Sequence, residues 1–274
     1  MLKKIKIFIS CFFIFLFSQD SKSQQKIETK SNNEPVEIFA EEGIEWDQNK
    51  KKYIASGKAV AKKGLLTVKS DKLEAAYVEK KDSENEITRL IAKGNVFIKN
   101  DITEVTGGKN ALYDLKKEYF LVQGKNLKLT SNDDELTANS KIEFWKIKNI
   151  AVATGNAKAY KEKKYTISAD KLIWHLIEKK NGDYEVIKIL AYENVILKTN
   201  NEIAYSNKAL YNKTDEICKL FGNVKLNKGE NFLTGEYAEM NINSGISKLL
   251  PYPKNTPKKD EKRVKAIIKK NEPR

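Results

Sequence analysis

Residues 152–170 read VATGNAKAYKEKKYTISAD and contain one complete unit of a repeat that runs through most of the chain. The unit opens at Gly155-Asn156, continues as a short strand, passes through a polar turn and closes on a second strand that ends in Ile167-Ser168-Ala169-Asp170. The closing pattern is an aliphatic residue, any residue, a small residue and then Asp, Asn, Glu or Gly. Two short strands separated by turns in so few residues predict antiparallel β-structure.

Seven copies of the closing pattern follow one another along the chain. A glycine lies about eleven residues before most of them, at Gly57, Gly94, Gly124, Gly155 and Gly222. Seven units of two strands each predict an all-β fold of about fourteen antiparallel strands. The copies begin at Ile38, Val68, Val105, Leu136, Ile167, Ala204 and Leu233, with spacings of 30, 37, 31, 31, 37 and 29 residues.

The order of the spacings indicates an internal duplication. A shift of about 99 residues places Lys72–Lys81 on Lys171–Lys180, and the two longer intervals fall at equivalent places. We therefore expect two tandem halves, at about 36–135 and 136–250. The polar insertions that lengthen the two intervals, Lys80–Glu86 and Glu178–Asp183, are expected to be hairpin tips.

Composition excludes several classes of protein. The chain has 274 residues, of which 40% are hydrophobic, and its single His and two Cys are too few for an all-protein zinc or iron–sulfur site. The formal net charge of +14 is concentrated towards the C-terminus, where residues 254–274 hold nine Lys or Arg against three Asp or Glu. The body is therefore only mildly basic, and no nucleic-acid-binding module is recognisable in it.

The first residues resemble an export signal. Lys3, Lys4 and Lys6 precede the apolar stretch Ile7–Phe17, which at eleven residues is too short to span a bilayer. We predict a signal peptide over residues 1–23, a flexible segment over 24–35 and a basic disordered tail over 251–274. The alternative for the N-terminus is a retained membrane anchor.

Three Gly-Asn elements carry a resemblance to a known family. Gly94-Asn95-Val96, Gly155-Asn156-Ala157 and Gly222-Asn223-Val224 are each followed by a strand and then by a small-acidic element such as Ile167-Ser168-Ala169-Asp170. In this the chain, over about residues 36–250, resembles the OstA-like N-terminal domain family of LptA-type periplasmic lipopolysaccharide-transport proteins. The resemblance implies an open, twisted β-jellyroll whose apolar interior shields lipid acyl chains. It also implies pairing of terminal strands with other jellyrolls, LptC-like and LptD-like partners or a second copy head to tail, with no cofactor.

Two sets of candidate residues follow from this combination. The aliphatic position of each repeat would line the lipid groove, although the same residues could equally pack a closed sandwich core. The Asp or Asn that ends a copy, at Asp71, Asn139, Asp170 and Asn207, points to the other face and is expected to cap a turn or bend. The groove candidates are Ile38, Val68, Val105, Leu136, Ile167 and Leu233, and the edge-strand candidates are Val36, Ile38, Phe232 and Thr234.

Three functions remain to be compared at this point. The first is a periplasmic bridge that carries lipopolysaccharide from the inner to the outer membrane. The second is an inner-membrane-anchored, LptC-like component of the same system, which would keep residues 1–17. The third is an enzyme acting on an envelope polymer, and no constellation of carboxylates or nucleophiles supports it.

Overall fold

The computed structural model describes residues 36–79, 85–100, 103–131, 134–161, 165–179, 184–253 and 263–268. The predicted signal peptide, the segment 24–35 and most of both polar insertions lie outside the described residues. In the part of the chain that is described, no helix is both long and apolar enough to cross a membrane.

The described residues form eighteen strands, which pair in antiparallel fashion, as in β3 with β4 and β15 with β16. The predicted fold class, all-β with antiparallel strands, is confirmed. The strands are β1 Glu37–Phe39, β2 Gly43–Asp47, β3 Lys52–Lys63, β4 Leu66–Glu79, β5 Asn85–Asn100, β6 Thr103–Asp114, β7 Tyr119–Gln123, β8 Leu127–Ser131, β9 Asp134–Ala138, β10 Lys141–Trp145, β11 Ile150–Lys161, β12 Tyr165–Glu178, β13 Tyr184–Thr199, β14 Ile203–Asn212, β15 Ile217–Lys228, β16 Asn231–Asn241, β17 Ile246–Leu250 and β18 Lys265–Ile267.

The count exceeds the predicted fourteen because some strands are broken in two. Strands β1 and β2 both pair with β3, and β7 and β8 both pair with β6. At the other end of the chain, β17 and β18 both pair with β16. Strands β9 and β10 are likewise separated by only Asn139 and Ser140. In each case two short consecutive strands, β1 and β2, β7 and β8, β9 and β10, or β17 and β18, take the place of one strand of the repeat.

The chain divides into two compact units, each of which we describe by itself. The N-terminal unit contains the described residues up to 131, together with 141–149, 178–179 and 184–185. The C-terminal unit contains 134–140, 150–177 and the residues from 186 onwards, less those outside the described ranges. Strand β10 therefore belongs to the N-terminal unit, where it pairs with β7, and β9 belongs to the C-terminal unit, where it pairs with β11.

Long strands bend at a two-residue bulge with left-handed backbone. Residues 57–58, 94–95, 155–156, 193–194 and 222–223 have positive φ, and the pairing register shifts at each of these positions. A bulge of this kind bends its strand and increases the local twist. The Gly-Asn elements of the repeat are thus bends within strands β5, β11 and β15, where the sequence predicted turns between strands.

The neighbouring strand supplies a polar side chain at the bend. Asp71 on β4 accepts hydrogen bonds from the Asn95 side-chain amide on β5, at 3.0 and 3.1 Å. In the C-terminal unit, Asp170 on β12 accepts a hydrogen bond of 3.0 Å from Asn194 on β13. The prediction that these two aspartates cap a bend is confirmed. In both examples the asparagine of the bend, in Gly94-Asn95 and in Glu193-Asn194, therefore meets the small-Asp mark of the neighbouring strand.

The C-terminal tail departs from its prediction. Disorder was expected throughout residues 251–274, but Lys265–Ile267 form β18, which pairs with Phe232–Thr234 of β16. The high charge of the tail conceals a short apolar stretch from Val264 to Ile268, and the side chain of Ile267 is half-buried there. The prediction of disorder is wrong for these three residues, and the segments 254–262 and 269–274 lie outside the described residues.

The bend leads to a prediction with a matched control. Gly94→Ala should lower the Tm more than Gly229→Ala, although both glycines have positive φ, 74° and 59°. A left-handed backbone costs an ordinary residue about 1–2 kcal/mol in either place. A Cβ at Gly94 would in addition collide with the Asp71 carboxylate, whereas no described atom lies within 4 Å of one at Gly229.

Thermal unfolding followed by circular dichroism measures the difference. Gly94→Ala combined with Asp71→Ala should recover part of the loss, because the closest contacts, those with the carboxylate, are removed, while the contact of 2.9 Å with the Cβ of residue 71 remains and the Asn95 hydrogen bond is lost. Equal losses of Tm in the two single variants would contradict a bend held by contact between strands.

Candidate functional site

The interior of the N-terminal unit contains an apolar cavity of about 400 Å³. This lies within the range of roughly 300–1,000 Å³ that is usual for ligand sites. Its lining includes Ile44 and Leu90, which are 53% and 39% exposed. The cavity therefore opens to solvent at these residues.

Two walls of the cavity come from the same strands on either side of their bends. Before the bend of β3, Ala55 lies opposite Leu73 of β4, which in turn lies opposite Ala92 of β5. Beyond the bend, Ala61 lies opposite Val68. All five side chains line the cavity, so the bend turns both halves of a strand towards one interior.

A third row of residues brings aromatic rings to the cavity. Tyr53 lies opposite Ala75, and Leu90 lies opposite Tyr113, which lies opposite Phe120. Burial raises the pKa of Tyr113 to about 12, so this phenol is neutral at physiological pH. Rings and aliphatic side chains thus supply most of the lining, and they offer contacts to hydrocarbon.

Charged residues of the lining are few. The Glu74 carboxylate accepts hydrogen bonds from Lys93 at 2.9 Å and Lys52 at 3.3 Å. The hydrogen bond from Lys93 is the main cause that lowers the pKa of Glu74, with Lys52 adding to it and burial opposing. Lys62 and Lys63 line the cavity close to the hairpin between β3 and β4. The positive charges of Lys62 and Lys63 in the lining therefore lie towards that hairpin.

The six groove candidates occupy different environments. Ile38 and Val68 line the cavity. Val105 and Ile167 are buried, at 1% and 3% exposure, and do not contribute to it. Leu136 and Leu233 are half-buried in the C-terminal unit, where they pair with Ala159 and Leu226.

The repeat motif alone did not identify most of the lining. Ala55, Leu73, Ala75, Ala92 and Ala111 all line the cavity and lie outside the aliphatic positions of the repeat. A signal for them was present, because each of β3 to β6 carries an alanine at a position that faces the interior, where a larger side chain would fill the space.

The edge candidates also differ from one another. Val36 is exposed and Ile38 lies in β1, which pairs with β3 through one of its edges. Phe232 and Thr234 lie in β16 between two partners, since β15 pairs with them on one side and β18 on the other. The tail therefore covers the edge of β16 that the sequence predicted to be open.

Metal chemistry has no visible support in the described part of the chain, where no group of three or more His, Cys, Asp or Glu side chains could hold an ion. The lone His175 lies on β12 opposite Ile150. Burial, with a contribution from Lys188, lowers its pKa.

Comparison with known proteins gives a family match and a structural likeness. The family model described as LptA/(LptD N-terminal domain) LPS transport protein matches residues 37–146 and again residues 140–246. The two matches follow one another along the chain, and together they cover 210 of the 274 residues.

Among solved structures, the chain is similar to LptH, the LptA homologous periplasmic component of the conserved lipopolysaccharide transport device from Pseudomonas aeruginosa. The two share 15% identity over 50% of this chain and 94% of that chain, with a TM-score of 0.41. Comparison with curated proteins gives no match.

Two valines at the same position of the repeat give a direct test of the cavity. Val68→Asp should cost little stability, because its side chain is half-buried and faces a cavity that opens to water. Val105→Asp should cost several kcal/mol, since it places an unpaired charge at a site that is 1% exposed. Thermal or urea unfolding of the two variants compares the costs, and equal destabilisation would show that Val68 belongs to a closed core.

Proposed function

This chain belongs to the LptA/LptD N-terminal domain family of lipopolysaccharide-transport proteins, and from that premise we propose that it is a periplasmic carrier that binds lipopolysaccharide by its acyl chains. It passes the lipid from the inner towards the outer membrane through contacts with other proteins of the same fold. The family is one of transport proteins, so the proposed role is binding and transfer and involves no catalysis.

The observation that carries the proposal is the open apolar cavity of the N-terminal unit. A carrier must shield hydrocarbon from water, and each buried CH₂ contributes about 0.8 kcal/mol. It must also release its cargo, which favours a site with an open side over a sealed core. The cavity meets both requirements, because most of its lining is aliphatic or aromatic while Ile44 and Leu90 remain exposed.

Positive charge at one end of the cavity suits the phosphate groups of lipopolysaccharide. Lipopolysaccharide carries phosphate groups next to its acyl chains, and Lys62 and Lys63 line the cavity near the hairpin between β3 and β4. We place the acyl chains against the lining alanines of β3 to β5, which are Ala55, Ala61, Ala75 and Ala92, and the anionic groups towards this hairpin. This arrangement is part of the proposal.

Photo-crosslinking in living cells tests the proposal with adjacent residues as probe and control. A photoreactive amino acid at Leu66, which lines the cavity, should capture lipopolysaccharide. The same amino acid at Leu65, which is 59% exposed and does not line the cavity, should not. Equal capture from both positions, or none from Leu66 in folded protein, would contradict the proposed site.

A carrier of this kind also needs contacts along the transport route. Edge strands with unpaired backbone groups accept strands from other chains. In the described residues, β1 offers exposed Val36 and Phe39 beside its backbone. We retain Val36 and Ile38 as residues of a pairing edge towards another jellyroll protein, LptC-like or LptD-like. The second edge, at Phe232 and Thr234, becomes available only when β18 leaves it.

Two truncations test whether the tail controls this second edge. Ending the chain after Pro253 removes β18 and should promote self-association, because the backbone of Phe232–Thr234 loses its partner. Ending it after Ile268 removes six residues but keeps β18, and should leave the association state of the full chain unchanged. Sedimentation velocity over a concentration series measures both. Identical association in the two truncated proteins would exclude β18 as the cover of the edge.

An anchored, LptC-like role is the alternative within the same family. It depends on the fate of residues 1–17, which lie outside the described residues. Mass determination of the protein from a membrane fraction distinguishes the two roles, since an intact N-terminus favours the anchor.

A further inference from the structure

The two halves of the duplication differ at equivalent inward-facing positions. The shift of about 99 residues that superimposes the halves places Ala75 on Trp174 and Leu66 on Tyr165. Ala75 and Leu66 both line the cavity of the N-terminal unit. Trp174 is buried in the C-terminal unit at 4% exposure, and burial raises the pKa of the Tyr165 phenol. At these two positions, larger side chains in the C-terminal unit replace smaller ones that line the cavity of the N-terminal unit.

The cross-strand partners of these residues show where the large ring lies in each unit. In the N-terminal unit, Tyr53 on β3 is opposite Ala75 on β4. In the C-terminal unit the order is reversed, with Ala151 on β11 opposite Trp174 on β12. The large ring of the pair therefore lies on β3 in the N-terminal unit and on β12, the equivalent of β4, in the C-terminal unit.

Contacts with neighbouring side chains fix the position of the Tyr53 ring. Its ring stacks on Trp46 of β2 with centroids 5.7 Å apart, and its hydroxyl accepts a hydrogen bond of 3.0 Å from Asn85. The Trp46 ring in turn donates a hydrogen bond of 2.9 Å to the hydroxyl of Tyr77. These contacts hold the ring of Tyr53 at one side of the cavity. The small side chain of Ala75 leaves space in the cavity at its own position.

Trp174 stands instead within a row of buried side chains. Leu172 and Leu176 flank it on the same face of β12, and all three are buried. Leu73, which corresponds to Leu172, is only half-buried and lines the cavity. Leu172 and Trp174 are thus buried on the interior face of β12, whereas Leu73 and Ala75, at the equivalent positions of β4, line the cavity.

We infer that the two halves have divided their roles, so that the N-terminal unit accepts the acyl chains and Trp174 makes the C-terminal unit a packed, non-binding half. The identity of the residue at 75 and 174 is then the determinant of which half binds hydrocarbon. This inference rests on the proposed function, since it assigns the acyl-binding site to one half of the carrier.

A photoreactive fatty acid that carries a diazirine tests the division on the purified protein. After irradiation, mass spectrometry identifies the labelled peptides. In the unaltered protein, label should be confined to peptides of the N-terminal unit. Ala75→Trp should remove most of that label, whereas Leu65→Trp, which adds an indole at an exposed position outside the cavity, should leave it unchanged.

The converse change should open the second half. Trp174→Ala is expected to add label within residues 165–177 or 186–240. Because this variant could lose its fold, Ala151→Tyr combined with Trp174→Ala restores the ring on β11 and reproduces the arrangement of Tyr53 and Ala75. Circular dichroism confirms that each variant is folded before it is labelled.

The outcomes separate this inference from the proposed function. Label in both halves of the unaltered protein would overturn the division of roles and leave lipid binding intact. Label in neither half would overturn the proposed function as well. If folded Trp174→Ala and the paired variant gain no label in the C-terminal unit, Trp174 is not the determinant.

Discussion

The bend shared by neighbouring strands is the interaction on which both units depend. A left-handed pair such as Gly94-Asn95 is unfavourable in an isolated strand, and here the side chain of Asp71 on the next strand stabilises it. Since the bend needs both partners, the asparagine of the bend and its polar partner lie on neighbouring strands, as Asn95 lies beside Asp71 and Asn194 beside Asp170.

The bend also explains how one set of strands encloses an interior. A straight strand presents alternate residues to one flat face, whereas a bent strand presents Ala55 and Ala61, on either side of its bulge, to the same cavity. Small side chains at these positions leave space that larger ones would fill. An unfilled apolar interior forfeits packing contacts and so lowers stability. Under the proposed function, this loss in the N-terminal unit is the condition for accommodating a hydrocarbon chain.

Sequence reasoning recovered the features that follow from local pattern. The repeat predicted the antiparallel strands and the role of Asp71 and Asp170 at bends. It could not distinguish Val68 from Val105, because both occupy the aliphatic position of the repeat and their exposure depends on what other strands pack against them. The strand at Lys265–Ile267 was missed because its apolar residues are few and its flanks are highly charged, so that only pairing with β16 reveals it. The assignment of β9 and β10 to different units likewise depends on long-range pairing that local pattern does not encode.

The recurrence of the bend on successive strands has an evolutionary consequence. Each unit of the repeat brings its own bulge and its own polar partner, and it joins the next unit through backbone pairing that is indifferent to most side chains. Whole units can therefore be added or lost without redesign of the ones that remain. Lengthening by duplication is the mutational step that such a protein tolerates best. The residues that line the interior of the second copy are then free to change.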